Sequence, residues 1–196
     1  MKVIQLHNSD SYRNETKLIQ SAAKQNREAQ HVLYELHAPK MLSVCRYYVK
    51  DVHQAEEVML NGFFKVFKYL KSFKNEGSFE GWVRRIMVRE SISYLRQQKK
   101  IEFTVEDDYL DHSRSDGTSN NINSNMEVAE IQLLIDSLPE GYRMVFVMYA
   151  IEGYKHQEIA ELLKISEGTS KSQLFKARQM LQNKIKELNN NSYGSN

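Results

Sequence analysis

In the first half of the chain, apolar residues return every third or fourth position, not every second. Leu33 and Leu36 are followed by Met41, Leu42, Val44, Cys45 and Tyr48, and then by Val58, Met59, Gly62, Phe63, Val66, Phe67 and Leu70. That spacing lays one apolar stripe along each of several helices and predicts a helical bundle. Pro39 is read as restarting a helix after Ala38, because a first-turn proline lacks an N–H that would have no partner there anyway. Asp51 is placed to cap the next helix, with Glu56 and Glu57 near its positive end. Residues 72–77 (SFKNEG) read as a loop, and Ser78 caps a helix from Phe79 to about Lys99 that packs through Trp82, Ile86, Ile92 and Leu95.

The second half repeats the pattern on a smaller scale. Val128, Ile131, Leu134, Ile135 and Leu138 mark one amphipathic helix; Pro139 opens another, packed by Tyr142, Val145, Phe146 and Tyr149 and ended by Gly153. A short helix carries Ile159, Leu162 and Leu163, a tight turn passes through Lys164, Ile165 and Ser166, and a last helix runs from Glu167 to about Leu188. Between the halves, residues 101–125 show no period and are rich in Asp, Ser and Asn, which predicts a flexible linker. The expected organisation is an all-α chain of two small helical domains: an extension over 1–15, a helical domain over 16–100, an acidic linker over 101–125, a second helical domain over 126–188 and a disordered tail over 189–196.

Composition narrows the chemistry. Only 2 prolines and 8 glycines occur in 196 residues, so long helices are permitted nearly everywhere. No stretch reaches the roughly 18 apolar residues of a membrane span, and the first residues lack the apolar core of a signal peptide; the expectation is a cytoplasmic protein without membrane insertion. One cysteine, Cys45, cannot form an internal disulfide, and His31, His37, His53 and His156 share no ligand spacing, so neither a metal nor another cofactor is expected. Adjacent Glu56 and Glu57 point about 100° apart on a helix and do not converge as an acid–base pair. No catalytic residue is assigned, and the chain is not expected to be an enzyme.

Charge adds the larger clue. The total is +2, yet residues 62–100 hold 10 basic against 3 acidic side chains, residues 101–125 hold 1 against 6, and residues 171–186 hold 5 basic and no acidic ones. Two basic segments flank an acidic one, which is either an ordinary solvated loop or a mimic of nucleic acid.

Two motifs give the basic segments a purpose. Glu158 to Arg178 (EIAELLKISEGTSKSQLFKAR) has the turn length of a helix-turn-helix, with small Ala160 at the crossing and Ile165 expected in the turn's interior. Its second helix would lie in a DNA major groove. Ser170, Lys171, Gln173 and Lys176 are read as facing outward, Gln suiting adenine and Lys suiting guanine, with Thr169 and Arg178 placed for phosphates. Residues 62–100 set Phe73, Phe79 and Trp82 around a polar loop, followed by Arg84, Arg85 and Arg89. Rings beside cations suit a single strand, whose bases stack while its phosphates are neutralised; taken alone, the same run fits a core stripe with a solvated basic face.

The two motifs in this order resemble a known family. Residues 51–96 (DVHQAEEVMLNGFFKVFKYLKSFKNEGSFEGWVRRIMVRESISYLR) resemble region two of a bacterial sigma factor, and residues 138–181 (from LPEGYRMVFVMYAIEGYKHQEIAEL to FKARQML) resemble region four. With no separate domain between them, the likeness is to the compact extracytoplasmic-function group of the sigma-70 family. The resemblance implies a factor that joins core RNA polymerase, recognises the minus-35 and minus-ten elements of promoter DNA and melts the latter, with an anti-sigma factor as a further partner. It implies polymerase contacts at Asp51, Glu56, Glu57, Leu60, Phe63 and Val66. For the minus-ten strand it implies Phe73, Lys74, Asn75, Ser78, Phe79, Trp82, Arg84, Arg85, Arg89 and Arg96; for the minus-35 duplex, Thr169, Ser170, Lys171, Ser172, Gln173, Phe175, Lys176 and Arg178. Leu60 stands where the family usually has Gln, Arg89 where it has Asn, Ser93 where Asp is frequent, Gln173 where Arg is common, and Lys155 where a capping Ser or Thr is common. The alternative is a stand-alone regulator that binds operator DNA through the helix-turn-helix and dimerises through the N-terminal bundle.

Overall fold

The computed structural model describes the backbone of residues 8–98 and 128–193, and side chains over 15–98 and 129–188. The chain divides into two compact units, Met1–Gln97 and Gln98–Asn196. Every described element is helical. The predicted acidic linker lies outside the described residues.

Unit one is built from α1 (Asn8–Ala23), α2 (Arg27–Tyr48), α3 (Val52–Tyr69), a single 3-10 turn (Leu70–Ser72) and α4 (Phe79–Gln97). Helices α2, α3 and α4 pack on one another, and α1 lies along α2. Asp51 caps α3 by accepting from the Gln54 N–H at 2.9 Å, and Ser78 caps α4 by accepting from the Gly81 N–H at 3.0 Å. The core is formed by Leu33, Met41, Val44 and Tyr48 of α2, Val58, Phe63 and Val66 of α3, and Val83, Met87, Ile92 and Leu95 of α4. Gly62 is needed where α3 meets α4: a Cβ there would run into the Met87 thioether.

One helix is added here and one expectation is corrected. Helix α1 begins at Asn8, inside the stretch read as an extension, and its described side chains bury only Ile19 and Ala22, too few for a visible period. Helix α2 passes through Pro39 without restarting. An interior proline costs about 3 kcal/mol, but Pro39 and Glu35, whose carbonyl loses its partner, both face solvent. Leu33, Met41, Val44 and Tyr48 of the same helix offset that cost at about 1.5–3 kcal/mol for each large buried apolar side chain.

Unit two comprises α5 (Val128–Asp136), α6 (Glu140–Phe146) continued by a wide π turn (Val147–Ile151), α7 (His156–Leu163) and α8 (Glu167–Tyr193). Ile135, Leu138, Met144, Val145, Met148, Ile159, Leu163, Leu174 and Ala177 form its core. Fully buried Arg143 lies 3.6 Å from both Asp136 and Glu140, tying α5 to α6 through charge in a place where the apolar pattern signals nothing. Gly153, at φ +75, ends the segment as expected. Helix α8 continues past Leu188 to Tyr193, which corrects the expected disorder of the tail over those residues; propagating an existing helix adds a hydrogen bond for each residue fixed.

Candidate nucleic-acid interface

The turn between α7 and α8 has the predicted position. Lys164 ends α7 in the left-handed conformation at φ 58, and the Ile165 N–H donates back to the Ala160 carbonyl at 3.1 Å. Ser166 then starts α8: its Oγ accepts from the Thr169 N–H at 2.9 Å and lies 2.8 Å from the Thr169 hydroxyl. Ile165 is half-buried. Lys155 offers no acceptor to the first turn of α7, and Glu158 instead takes the Lys155 N–H at 2.8 Å.

The outer face of α8 differs from the one expected. Lys171, Ser172, Phe175 and Arg178 are exposed, Thr169 and Lys176 are half-buried, and Ser170 and Gln173 turn inward, at 0% and 4% exposure. Ser170 and Gln173 share the inward arc with Leu174 and Ala177, so their orientation toward base edges is corrected. The Ser170 hydroxyl sits 2.9 Å from His156 Nδ1, binding α8 to the first residue of α7. His156 stacks on Tyr149 at 4.6 Å, and the Arg178 guanidinium lies over the same Tyr149 ring at 5.6 Å. Partial desolvation, with Lys171 and Arg178 adding to it against Glu167, holds the His156 ring below its ordinary pKa. The Lys171 ammonium pairs with Glu167 at 2.9 Å, which lowers the Glu167 pKa.

In unit one the loop between α3 and α4 carries an aromatic cluster. Asn75 at φ 58 and Gly77 at φ 92 reverse the chain, bringing Phe73 to within 5.4 Å of both Phe79 and Trp82. Phe79 stacks on Trp82 at 5.9 Å. Phe79 is buried at 4% exposure, whereas Phe73 and Trp82 are half-buried, so Phe79 is a support beneath the cluster and its expected direct contact with a base is corrected. Lys74, Asn75 and Ser78 are exposed around it. At about 100° per residue, Arg85, Arg89 and Arg96 fall within about 40° of one another on the exposed side of α4, while half-buried Arg84 sits about a third of a turn away.

Helix α3 offers a different surface. Asp51, Glu56 and Glu57 are exposed, and so are Leu60 at 54% and Phe64 at 70%. Phe63 and Val66, expected to meet a partner, are buried; Phe63 packs edge-on against Tyr34 at 4.9 Å and beside Phe67. Their assignment as contact residues is corrected. The core stripe through 55, 59, 62, 63 and 66 leaves 60 and 64 as the outward apolar pair; two adjacent phenylalanines both fit an apolar period, so the pattern does not say which of them faces out.

Comparison with known proteins gives a consistent result. Residues 33–101 match the model "Sigma-70 region 2", and residues 129–181 match "Sigma-70, region 4". The ECF RNA polymerase sigma-E factors of Haemophilus influenzae and Escherichia coli K12 are each 27% identical over 180 residues, covering 87% of this chain and 95% and 94% of those proteins. Among solved structures, the sigma factor RpoE of Bartonella quintana, in complex with the anti-sigma factor NepR, has a TM-score of 0.52 and 18% identity, covering 80% of this chain and 96% of that one. Among the described residues, no helix is long and apolar enough to cross a membrane.

Proposed function

The chain belongs to the sigma-70 family of RNA polymerase sigma factors, in its extracytoplasmic-function group, and we propose how its two units divide that work. A sigma factor is an initiation factor and not in itself an enzyme: it joins core RNA polymerase and brings it to promoter DNA. Here α3 meets the polymerase through Glu56, Glu57, Leu60 and Phe64, an acidic and apolar surface capped by Asp51. Helix α8 enters the minus-35 major groove with Lys171, Ser172 and Phe175, while Thr169, Lys176 and Arg178 hold phosphates.

The observation that carries the reading is the Phe73–Trp82 pair resting on buried Phe79 at the head of the Arg85, Arg89 and Arg96 stripe. An unpaired base can stack on the half-exposed rings, with Lys74, Asn75 and Ser78 offering hydrogen bonds and the arginines following the phosphates. Stacking is worth about 1–3 kcal/mol per base, comparable with the few kcal/mol that unpairing a base costs. Melting then needs no nucleotide hydrolysis by this chain. The test is run-off transcription with purified core polymerase: promoter-dependent transcripts are expected, and they should vanish in Trp82→Ala. A dimer that binds palindromic duplex without polymerase would overturn the reading in favour of a stand-alone regulator.

A further inference from the structure

His37 lies outside every surface described so far. It is buried on the inner side of α2, at 6% exposure, yet it is titratable. Its Nε2 is 3.4 Å from the Glu15 carboxylate of α1, and Nδ1 has no hydrogen-bond partner among the described residues. The ring meets Phe79 in an edge-on arrangement at 5.3 Å, so it underlies the ring that supports Phe73 and Trp82. One turn along α2, Lys40 pairs with Glu80 at 2.8 Å. His37 and Lys40 therefore hold two consecutive residues, Phe79 and Glu80, at the start of α4.

We propose that His37 is a positioning residue for strand capture, setting the aromatic cluster through Phe79 while its ring is neutral and releasing it when the ring gains a proton. The proposal rests on the strand-capture reading above. The charged and titratable groups facing the ring are Glu15 from α1, Lys40 from α2 and Glu80 from α4. Burial keeps the ring neutral, lowering its pKa against the pull of both carboxylates, and Lys40 acts in the same direction as burial. An imidazolium beneath Phe79 is poorly hydrated, and its near carboxylate is that of Glu15. The charged ring is drawn toward Glu15 and off the edge of Phe79, or draws Glu80 away from Lys40, and both loosen the hold on the first turn of α4. Phe79 moves in each case, and Trp82 and Phe73 move with it. Acid thus weakens the grip on an unstacked base without touching any residue that contacts DNA.

The test measures binding of a fluorescent minus-ten single strand to the reconstituted holoenzyme from about pH 8 to about pH 5.5, the range in which histidine titrates. Wild type, His37→Phe and Glu15→Gln are compared, with a thermal melt of each at every pH. Toward acid, wild type should lose on the order of fivefold more affinity than His37→Phe, within the tenfold per pH unit that one linked proton allows. Glu15→Gln, which removes a carboxylate that favours the charged ring, should move the wild-type midpoint to lower pH. Parallel curves for wild type and His37→Phe overturn the proposal. If His37→Phe does not fold, an unmoved midpoint in Glu15→Gln overturns it equally. A wild-type holoenzyme that holds no strand at any pH overturns the strand-capture reading as well, which separates the two failures.

Discussion

Phe63 and Phe64 are neighbours in sequence and opposites in role. Phe63→Ala should cost about 3–5 kcal/mol of stability, as buried aromatic truncations do, because the ring sits in the core against Tyr34. Phe64→Ala should leave the stability of unit one within about 0.5 kcal/mol of wild type and weaken core-polymerase binding by about tenfold, the size of an interface residue worth more than 1 kcal/mol. Paired thermal melts and titrations against core polymerase check both, and a loss of polymerase binding in Phe63→Ala alone would reverse the assignment. His156 supplies a second residue-level prediction. Its folded pKa lies below the ordinary 6.5, so the folded state takes up the proton less readily than the unfolded chain. The neutral ring costs nothing above 6.5, and stability is lost as pH falls through that value toward the lowered one. A histidine NMR titration should place the midpoint below 6.5 and move it upward in Lys171→Gln, where the cation is gone and Glu167 remains.

Helices were easier to read than their faces. The stripes through Val58–Leu70 and Leu174–Ile185 announce helices because an apolar period of 3.6 has no other explanation at that length. A polar residue on the edge of such a stripe carries no mark of which way it turns. Ser170 points inward because His156 waits there to bond it, and Gln173 is drawn in beside Leu174 and Ala177. Pro39 misled for a related reason: the local rule for proline is sound, but the packing of both flanking half-helices overrides it. Helix α1 leaves no apolar period in the sequence because its described side chains bury so little. The connections between elements yield a prediction of their own. Lys164 adopts a left-handed conformation at φ 58 and Gly62 sits against Met87, so the two positions should respond in opposite senses. Lys164→Gly should stabilise unit two by up to about 1 kcal/mol, relieving the Cβ penalty at positive φ. Gly62→Ala should destabilise unit one by about 1–3 kcal/mol through overpacking. Urea melts of the two variants decide both signs.

At the scale of the whole molecule, the near-neutral charge of +2 conceals how the protein engages nucleic acid. The arginine stripe of α4 and the cations of α8 belong to different units, each with its own core; on the proposed reading each meets a different form of DNA, a melted strand in one case and a duplex in the other. The separate polypeptides 1–98 and 128–196 should therefore each fold, and circular dichroism should find both helical. Duplex minus-35 binding by the intact holoenzyme should fall linearly in log affinity against log salt, since every neutralised phosphate releases counterions. Arg178→Gln should reduce that slope by about one and weaken all sequences nearly alike, whereas Ser172→Ala should leave the slope unchanged and alter preference among sequences. An unchanged slope in Arg178→Gln would mean that its stacking on Tyr149 keeps the guanidinium from phosphate, and that the Tyr149–His156–Arg178 stack braces the helix-turn-helix from within.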